Sequence, residues 1–445
     1  MPAAAPLLPV IGGELRVPLI DGSDARYVNL DYAASSPALA VVAQHVTEVL
    51  PLYASVHRGA GYASQISTAA YEHARRTVGD FVGARQDDLV IFTRNTTDSL
   101  NLLASVVPGD TVVLDIEHHA NLLPWIAPHG HENRTGRIVM AGAMIEETLS
   151  RVDAELAAAP AALLTVTGAS NVTGETLPLR RLASIAHRRG TRLAVDGAQL
   201  IPHRRLSLAL DGVDYLAFSG HKTYAPFGAG VLVGRRDWLD AGEPYLRGGG
   251  AVTRVTLDEA GWRTGSARHE AGSPNVIGVA ALARALQELA TLDVAAWMGH
   301  EAALREQLVS GLSDLPSVRV LRVFPDSTEP VGVVSFSVDG VDSRLLATAL
   351  SAEWGIGVRD GKFCSHPLLE RLGITEPAVR ASVGVGSRRA DVDVLLEALG
   401  RFLAEGPAWQ YELVGGHWVA AEDHRPRPGW APELGDDRGY YGCAV

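Results

Sequence analysis

Short apolar runs alternate with longer amphipathic stretches between about residue 89 and residue 275. Seven runs predict strands: Leu89–Thr93, Thr111–Asp115, Arg137–Met140, Ala162–Thr167, Arg192–Asp196, Tyr215–Phe218 and Gly230–Val233. Met144–Ala157 and Leu179–Arg189 predict helices between them, and another begins near Ser99, after Arg94-Asn95-Thr96-Thr97-Asp98. Strand and helix in alternation predict an α/β fold with a largely parallel sheet.

Beyond Asn275 the pattern changes. Two long helical stretches, Val276–Leu292 and Val294–Leu312, lead into predicted strands at Val318–Val323, Val331–Val338, Ile356–Arg359 and Val379–Gly384. A helix over Ala390–Leu403 follows. This part reads as a second, smaller α+β domain over 291–414, beside a large α/β domain over 35–290. Residues 415–445 are rich in Pro, Gly, Trp and acidic side chains and predict an irregular extension.

Composition narrows the partners. The chain has 445 residues, 47% of them hydrophobic, enough for a large core. Its net charge of −12, without long basic runs, argues against nucleic acid and against a membrane surface. No charge-free apolar run has spanning length. Met1–Gly13 is apolar but has no Lys or Arg and is broken by Pro2, Pro6 and Pro9, so no secretory leader is expected. The cysteines are Cys364 and Cys443, too few for a disulfide framework, and a cytoplasmic location is the expectation.

The candidate chemistry sits at strand ends. Asp196 closes one predicted strand, and Lys222 lies just past the next, in Ser219-Gly220-His221-Lys222. A lysine amine can bind an aldehyde as a Schiff base, and a carboxylate can pair with a protonated ring nitrogen. Asn95-Thr96-Thr97 offers hydroxyls and backbone N–H groups at a helix start, which suits a dianion or a plain N-cap. His118 and His119 are adjacent, but adjacent strand residues diverge, and no Cys or carboxylate has ligand-like spacing, so no metal is expected.

From Asn29 to about Leu403 these motifs, in this order, resemble the pyridoxal 5′-phosphate (PLP) enzymes of the class V aminotransferase and cysteine desulfurase family, most closely the Suf-type (group II) desulfurases and selenocysteine lyases. The resemblance implies the aspartate aminotransferase-like fold, fold type I, with residues 1–34 joining the small domain. It implies that Lys222 carries PLP and then acts as the base at the substrate Cα. Asp196 would pair with the pyridinium, and His118 would stack on the ring and move protons. Gln199 would donate to the ring hydroxyl, with Asn171 near that hydroxyl and the substrate carboxylate. Thr96, Thr97, Ser219 and His221 would hold the phosphate. Arg380 would grip the α-carboxylate, and Arg359 and the loop His57-Arg58-Gly59 would add to the substrate site. The segment His269–Asn275 resembles one lent to a second subunit, with Ser273 touching the partner's phosphate, which implies a homodimer with shared sites.

The stretch Gly357–Pro367 resembles the desulfurase segment with the nucleophilic cysteine, here Cys364, near Arg359, Lys362 and His366. Positive charge favours a thiolate. The implied activity removes sulfur from L-cysteine, or selenium from selenocysteine, through a persulfide on Cys364, with release of alanine and onward transfer to a sulfur-acceptor protein. The chain departs from the family pattern at three places. Lys362-Phe363 replace a pair that usually contains imidazole, Ala225 stands where glycine is usual, and the tail with Cys443 is additional. An aminotransferase, a C–S lyase or an epimerase on the same scaffold is the alternative. A non-catalytic binding protein would not need Lys222, Asp196, His118 and Arg380 together.

Overall fold

The computed structural model of the chain describes residues 5–57, 59–126 and 134–431. Its main sheet has strands β1 (Asp88–Thr93), β2 (Thr111–Leu114), β3 (Gly136–Val139), β4 (Leu163–Thr167), β5 (Arg192–Asp196), β6 (Tyr215–Ser219) and β7 (Gly230–Arg235). Their order across the sheet is β1-β7-β6-β5-β4-β2-β3. All pairs among β2 to β6 are parallel, whereas β7 runs antiparallel to both β1 and β6. A short connection, residues 220–229, joins β6 to β7, and such a link permits only antiparallel pairing.

The strands are apolar throughout because both faces are covered. Consecutive residues point to opposite sides. Val112, Leu164, Val195 and Phe218 join one hydrophobic cluster, and their neighbours Val113, Leu163, Ala194 and Ala217 join another. In register, Thr167 stands beside Asp196, and Asp196 beside Ala217. The carboxyl ends of β4, β5 and β6 therefore present Thr167, Asp196 and Ser219 along one edge, where open α/β sheets bind their ligands.

A smaller antiparallel sheet follows, in the order Val318–Val320, Val333–Val338, Ala378–Ser382, Arg359–Gly361. It shares a core with helices Val294–Ser313, Ser343–Trp354 and Arg389–Glu405. The N-terminal strand Val28–Asn29 pairs in parallel with Ile356–Gly357. Val28 and Leu30 enter this smaller core, while Tyr32 and Ala33 enter the larger one.

Three elements differ from their sequence patterns. The strand expected over Val318–Val323 stops at Val320. The run expected over Ile356–Arg359 divides, since Ile356–Gly357 pairs with Val28–Asn29 and Arg359–Gly361 pairs with Ala378–Ser382. The extension from 415 is not irregular throughout, because Tyr411–Val414 and His417–Ala420 form a hairpin. Gly415 and Gly416 supply its turn with φ of 58° and 82°, as a two-residue hairpin link requires. Side chains anchor it: Tyr411 OH donates to Glu353 at 2.8 Å, and Trp418 Nε1 donates to Asp342 at 2.9 Å. Cys443 lies outside the described residues. Among the described residues no helix is long and apolar enough to cross a membrane.

Candidate active site

A cavity of about 480 Å³ opens at the carboxyl edge of β4 to β6. Thr96, Thr97, His118, Asn171, Asp196, Gln199, Ser219, His221, Lys222, Arg359, Cys364 and Arg380 all line it.

One end is built from a helix start. Asn95 caps the helix Thr96–Val106, its side chain accepting from Asp98 N at 3.0 Å. Thr96 N donates to Ser219 Oγ at 2.8 Å, and the two hydroxyls lie 2.5 Å apart. This ties the helix start to the end of β6. Gly230 makes the fit possible, because a Cβ there would come within 2.4 Å of Asn95 Cα. The result is a cluster of donors at the positive end of a helix, suited to a phosphate.

The centre holds opposed charges. Asp196 is buried and accepts from Ala198 N at 2.9 Å. Burial pushes its pKa up, against the pull of the Ala198 N–H and Lys222. Burial brings Lys222 down to about 8, helped by the Arg380 charge and opposed by Asp196, Cys364 and Asp31. Burial, with the Lys222, His119 and Arg380 charges, pushes His118 down to about 3, so its ring is neutral at neutral pH. Its Nδ1 accepts from Ala120 N at 3.0 Å, which places the ring proton on Nε2. Burial and Lys222 bring His221 down to about 4.

The opposite wall carries cations and the cysteine. Arg359 and Arg380 face each other across antiparallel strands. Arg380 is buried and donates through Nη1 to Asn171 O at 3.0 Å and through Nη2 to Asp31 Oδ1 at 3.3 Å, while its Nε has no partner. The guanidinium lies over the Phe363 ring at 5.2 Å. Phe363 and Cys364 both have positive φ, 54° and 53°, a strained pair for non-glycine residues. Hydrogen bonds hold that turn. Asn171 Nδ2 donates to Phe363 O at 2.8 Å, Ser365 Oγ donates to Asn171 Oδ1 at 3.0 Å, and His119 N donates to Cys364 O at 2.8 Å.

Two expectations are refined. Gln199 Nε2 already donates to Ala33 O at 2.7 Å, and its Oε1 has no partner. One N–H of its amide is thus held by the backbone of the N-terminal segment, leaving the second N–H and the Oε1 acceptor for the expected ring hydroxyl. His57 and Ser273 do not line the cavity, and both are exposed. His57 Nε2 is 3.0 Å from Glu72 Oε1, and His57 lines a different surface cavity with Gly272 and Pro274, the neighbours of Ser273. Arg58 lies outside the described residues.

Sequence reasoning gave no site role to Asp31, Ala33 or Ser35, and took Phe363 only as a departure from the family pattern. Asp31 follows the alternating Val28-Asn29-Leu30 stretch as an acid at a strand end, which was a usable signal; Ala33 acts through its carbonyl and gave none.

The residues fit PLP. A buried carboxylate faces a depressed lysine amine, a phosphate-sized donor cluster lies at one end, and the unpartnered Gln199 Oε1 and Arg380 Nε remain to be satisfied. Among the described residues no group of three or more His, Cys, Asp or Glu is placed to hold a metal.

The comparisons agree with that fit. The model of the family "Aminotransferase class-V" matches residues 28–395. Cysteine desulfurase CsdA of Escherichia coli is 36% identical over 84% of this chain and 94% of its own length. Its crystal structure superposes with a TM-score of 0.77 over 85% of this chain and 95% of that one, at 33% identity. The apo cysteine desulfurase of Thermococcus onnurineus gives 0.78 over the same shares, at 31% identity. A probable cysteine desulfurase of Mycolicibacterium paratuberculosis is 35% identical over 80% of this chain, which spans only 52% of that longer relative. The chain belongs to the class V aminotransferase family of PLP-dependent enzymes, on the fold type I scaffold.

Proposed function

We propose that this enzyme takes sulfur from L-cysteine as a persulfide on Cys364 and releases alanine. The observation that carries the reading is the meeting of Lys222, Arg380 and Cys364 in one cavity. The curated relatives named cysteine desulfurase support it.

Bound PLP supplies an electron sink conjugated to the substrate Cα, which weakens the Cβ–S bond. Lys222 would hold its aldehyde, Asp196 its ring nitrogen and His118 its ring face. Gln199 and Asn171 would flank its hydroxyl, and Thr96, Thr97, Ser219 and His221 its phosphate. Arg380 binds the substrate α-carboxylate, with Asn171 and Arg359 beside it. Lys222 Nζ takes the Cα proton, and its depressed pKa keeps a neutral fraction near pH 7. Cys364 Sγ attacks the substrate sulfur as a thiolate. The Sγ–S bond forms, the Cβ–S bond breaks with its electron pair going to carbon, Cβ is protonated, and the proton on Nζ returns to Cα.

The enzyme acts as a homodimer. His57 shares a surface cavity with Gly272 and Pro274, the neighbours of Ser273, and neither His57 nor Ser273 lines the catalytic cavity, which supports a role for this face at a second copy's site. A sulfur-acceptor protein then removes the persulfide sulfur, and the cytoplasm is the compartment.

The test is alanine and sulfide release from L-cysteine with reductant. Cys364→Ala should lose turnover and keep the cofactor absorbance. Undiminished turnover would refute the persulfide route and favour the aminotransferase, C–S lyase or epimerase reading. Spectral shifts with other amino acids would then identify the substrate.

A further inference from the structure

A second cavity, of about 510 Å³, lies away from the catalytic one, between the helix Val294–Ser313 and the segment 320–330. Arg204, Arg305 and Arg322 line it. Arg305 is half-buried, yet its guanidinium makes one long hydrogen bond, from Nη2 to Thr173 O at 3.4 Å. Its Nε is buried without a partner, and among the described residues no carboxylate lies within ion-pair distance of it. Arg322 is held as loosely, with Nε 3.8 Å from Glu175 Oε1 and Nη2 3.4 Å from Pro325 O. A half-buried guanidinium left this way, with the exposed Arg322 lining the same cavity, favours an anion.

The nearby acids do not fill that place. Glu175 accepts from Thr173 Oγ1 and Val323 N through Oε2, while its buried Oε1 has no hydrogen-bond partner and lies 3.8 Å from Arg322 Nε. Glu301 is engaged by His203, Arg204 and Gly332 N. Glu306 and Glu329 stand exposed on the rim. Ser327 and Thr328 line the cavity too, the Ser327 hydroxyl lying 3.4 Å from Thr176 O, and so do the apolar Met298, Val309 and Val320.

We propose that this cavity binds a phosphate monoester with an apolar body. Arg305 and Arg322 hold the phosphate, with Ser327 and Thr328 as further donors, and the body packs on Met298, Val309 and Val320. Planar guanidinium forks suit phosphate oxygens, and the apolar side selects against the bare ion. The site is coupled to catalysis by position. Thr173 follows Asn171 by two residues, and Asn171 O accepts from Arg380. An anion that draws Arg305 away from Thr173 shifts the segment that orients the carboxylate-binding arginine.

Calorimetry on the holoenzyme tests this, with phenyl phosphate as the probe and phenol and inorganic phosphate as controls. The catalytic phosphate site is already filled in that form. Saturable binding of phenyl phosphate is expected, tighter than that of inorganic phosphate and absent for phenol. Arg305→Gln and Arg322→Gln should each weaken it at least about tenfold, the size of one charge-assisted hydrogen bond. Arg322 is exposed, so its variant keeps the test valid if Arg305→Gln folds poorly. Absence of saturable binding, equal binding of inorganic phosphate, or unchanged binding in Arg322→Gln would overturn the proposal.

Discussion

Ser365 donates its hydroxyl to Asn171 Oδ1 at 3.0 Å, across 194 residues of sequence. The same amide's Nδ2 donates to Phe363 O, so one side chain holds the Cys364 turn on both sides. That turn carries two consecutive left-handed residues, and strain of this kind persists only where the surroundings fix it.

Asn171→Ala should release the turn. It leaves a buried hydroxyl and a carbonyl unpaired, about 1–3 kcal/mol each. Alanine formation from L-cysteine should fall about tenfold to a hundredfold, while PLP stays bound. Steady-state kinetics beside an absorbance spectrum would separate these two effects.

The depressed lysine has a pH signature. A group brought down to about 8 gains its neutral, nucleophilic form as pH rises through 8, not through the ordinary lysine value of 10.5. The rate of PLP attachment to the apoprotein should therefore climb up to about pH 8 and then level off. Stopped-flow absorbance records it, and a rate still climbing at pH 10 would place the amine in an ordinary environment.

Arg380→Lys should raise KM for L-cysteine by at least about tenfold, since a point charge cannot replace a planar fork. Asp31 would lose its partner as well. PLP affinity should change little. Comparing KM with the cofactor dissociation constant distinguishes this from general unfolding.

Glu301 is buried between His203, Arg204 and the Gly332 N–H. Glu301→Ala leaves an arginine and a histidine without their carboxylate and should cost about 3–5 kcal/mol. Urea unfolding of the holoenzyme measures the loss.

Much of this was legible in the sequence, for local reasons. Asp196, Ser219 and Lys222 follow apolar runs that could only be buried strands, and Thr96 and Thr97 open a helix after another. What escaped depends on distant pairing. No local pattern tells β7 to enter between β1 and β6. Asp31 meets Arg380 across 349 residues, and Gln199 meets Ala33 across 166. The hairpin at Tyr411–Ala420 had a local signal in Gly415-Gly416 between two short runs, and only its anchors, Glu353 and Asp342, lie on or beside a helix far upstream. His57 and Ser273 read as site residues by resemblance alone, and a single chain leaves both on its surface.

Mass spectrometry of the Cys364 peptide after brief exposure to L-cysteine, without reductant, tests the central reading most directly. One additional sulfur atom on Cys364 is the result expected. An unmodified Cys364 peptide from an enzyme that is still producing alanine would contradict it.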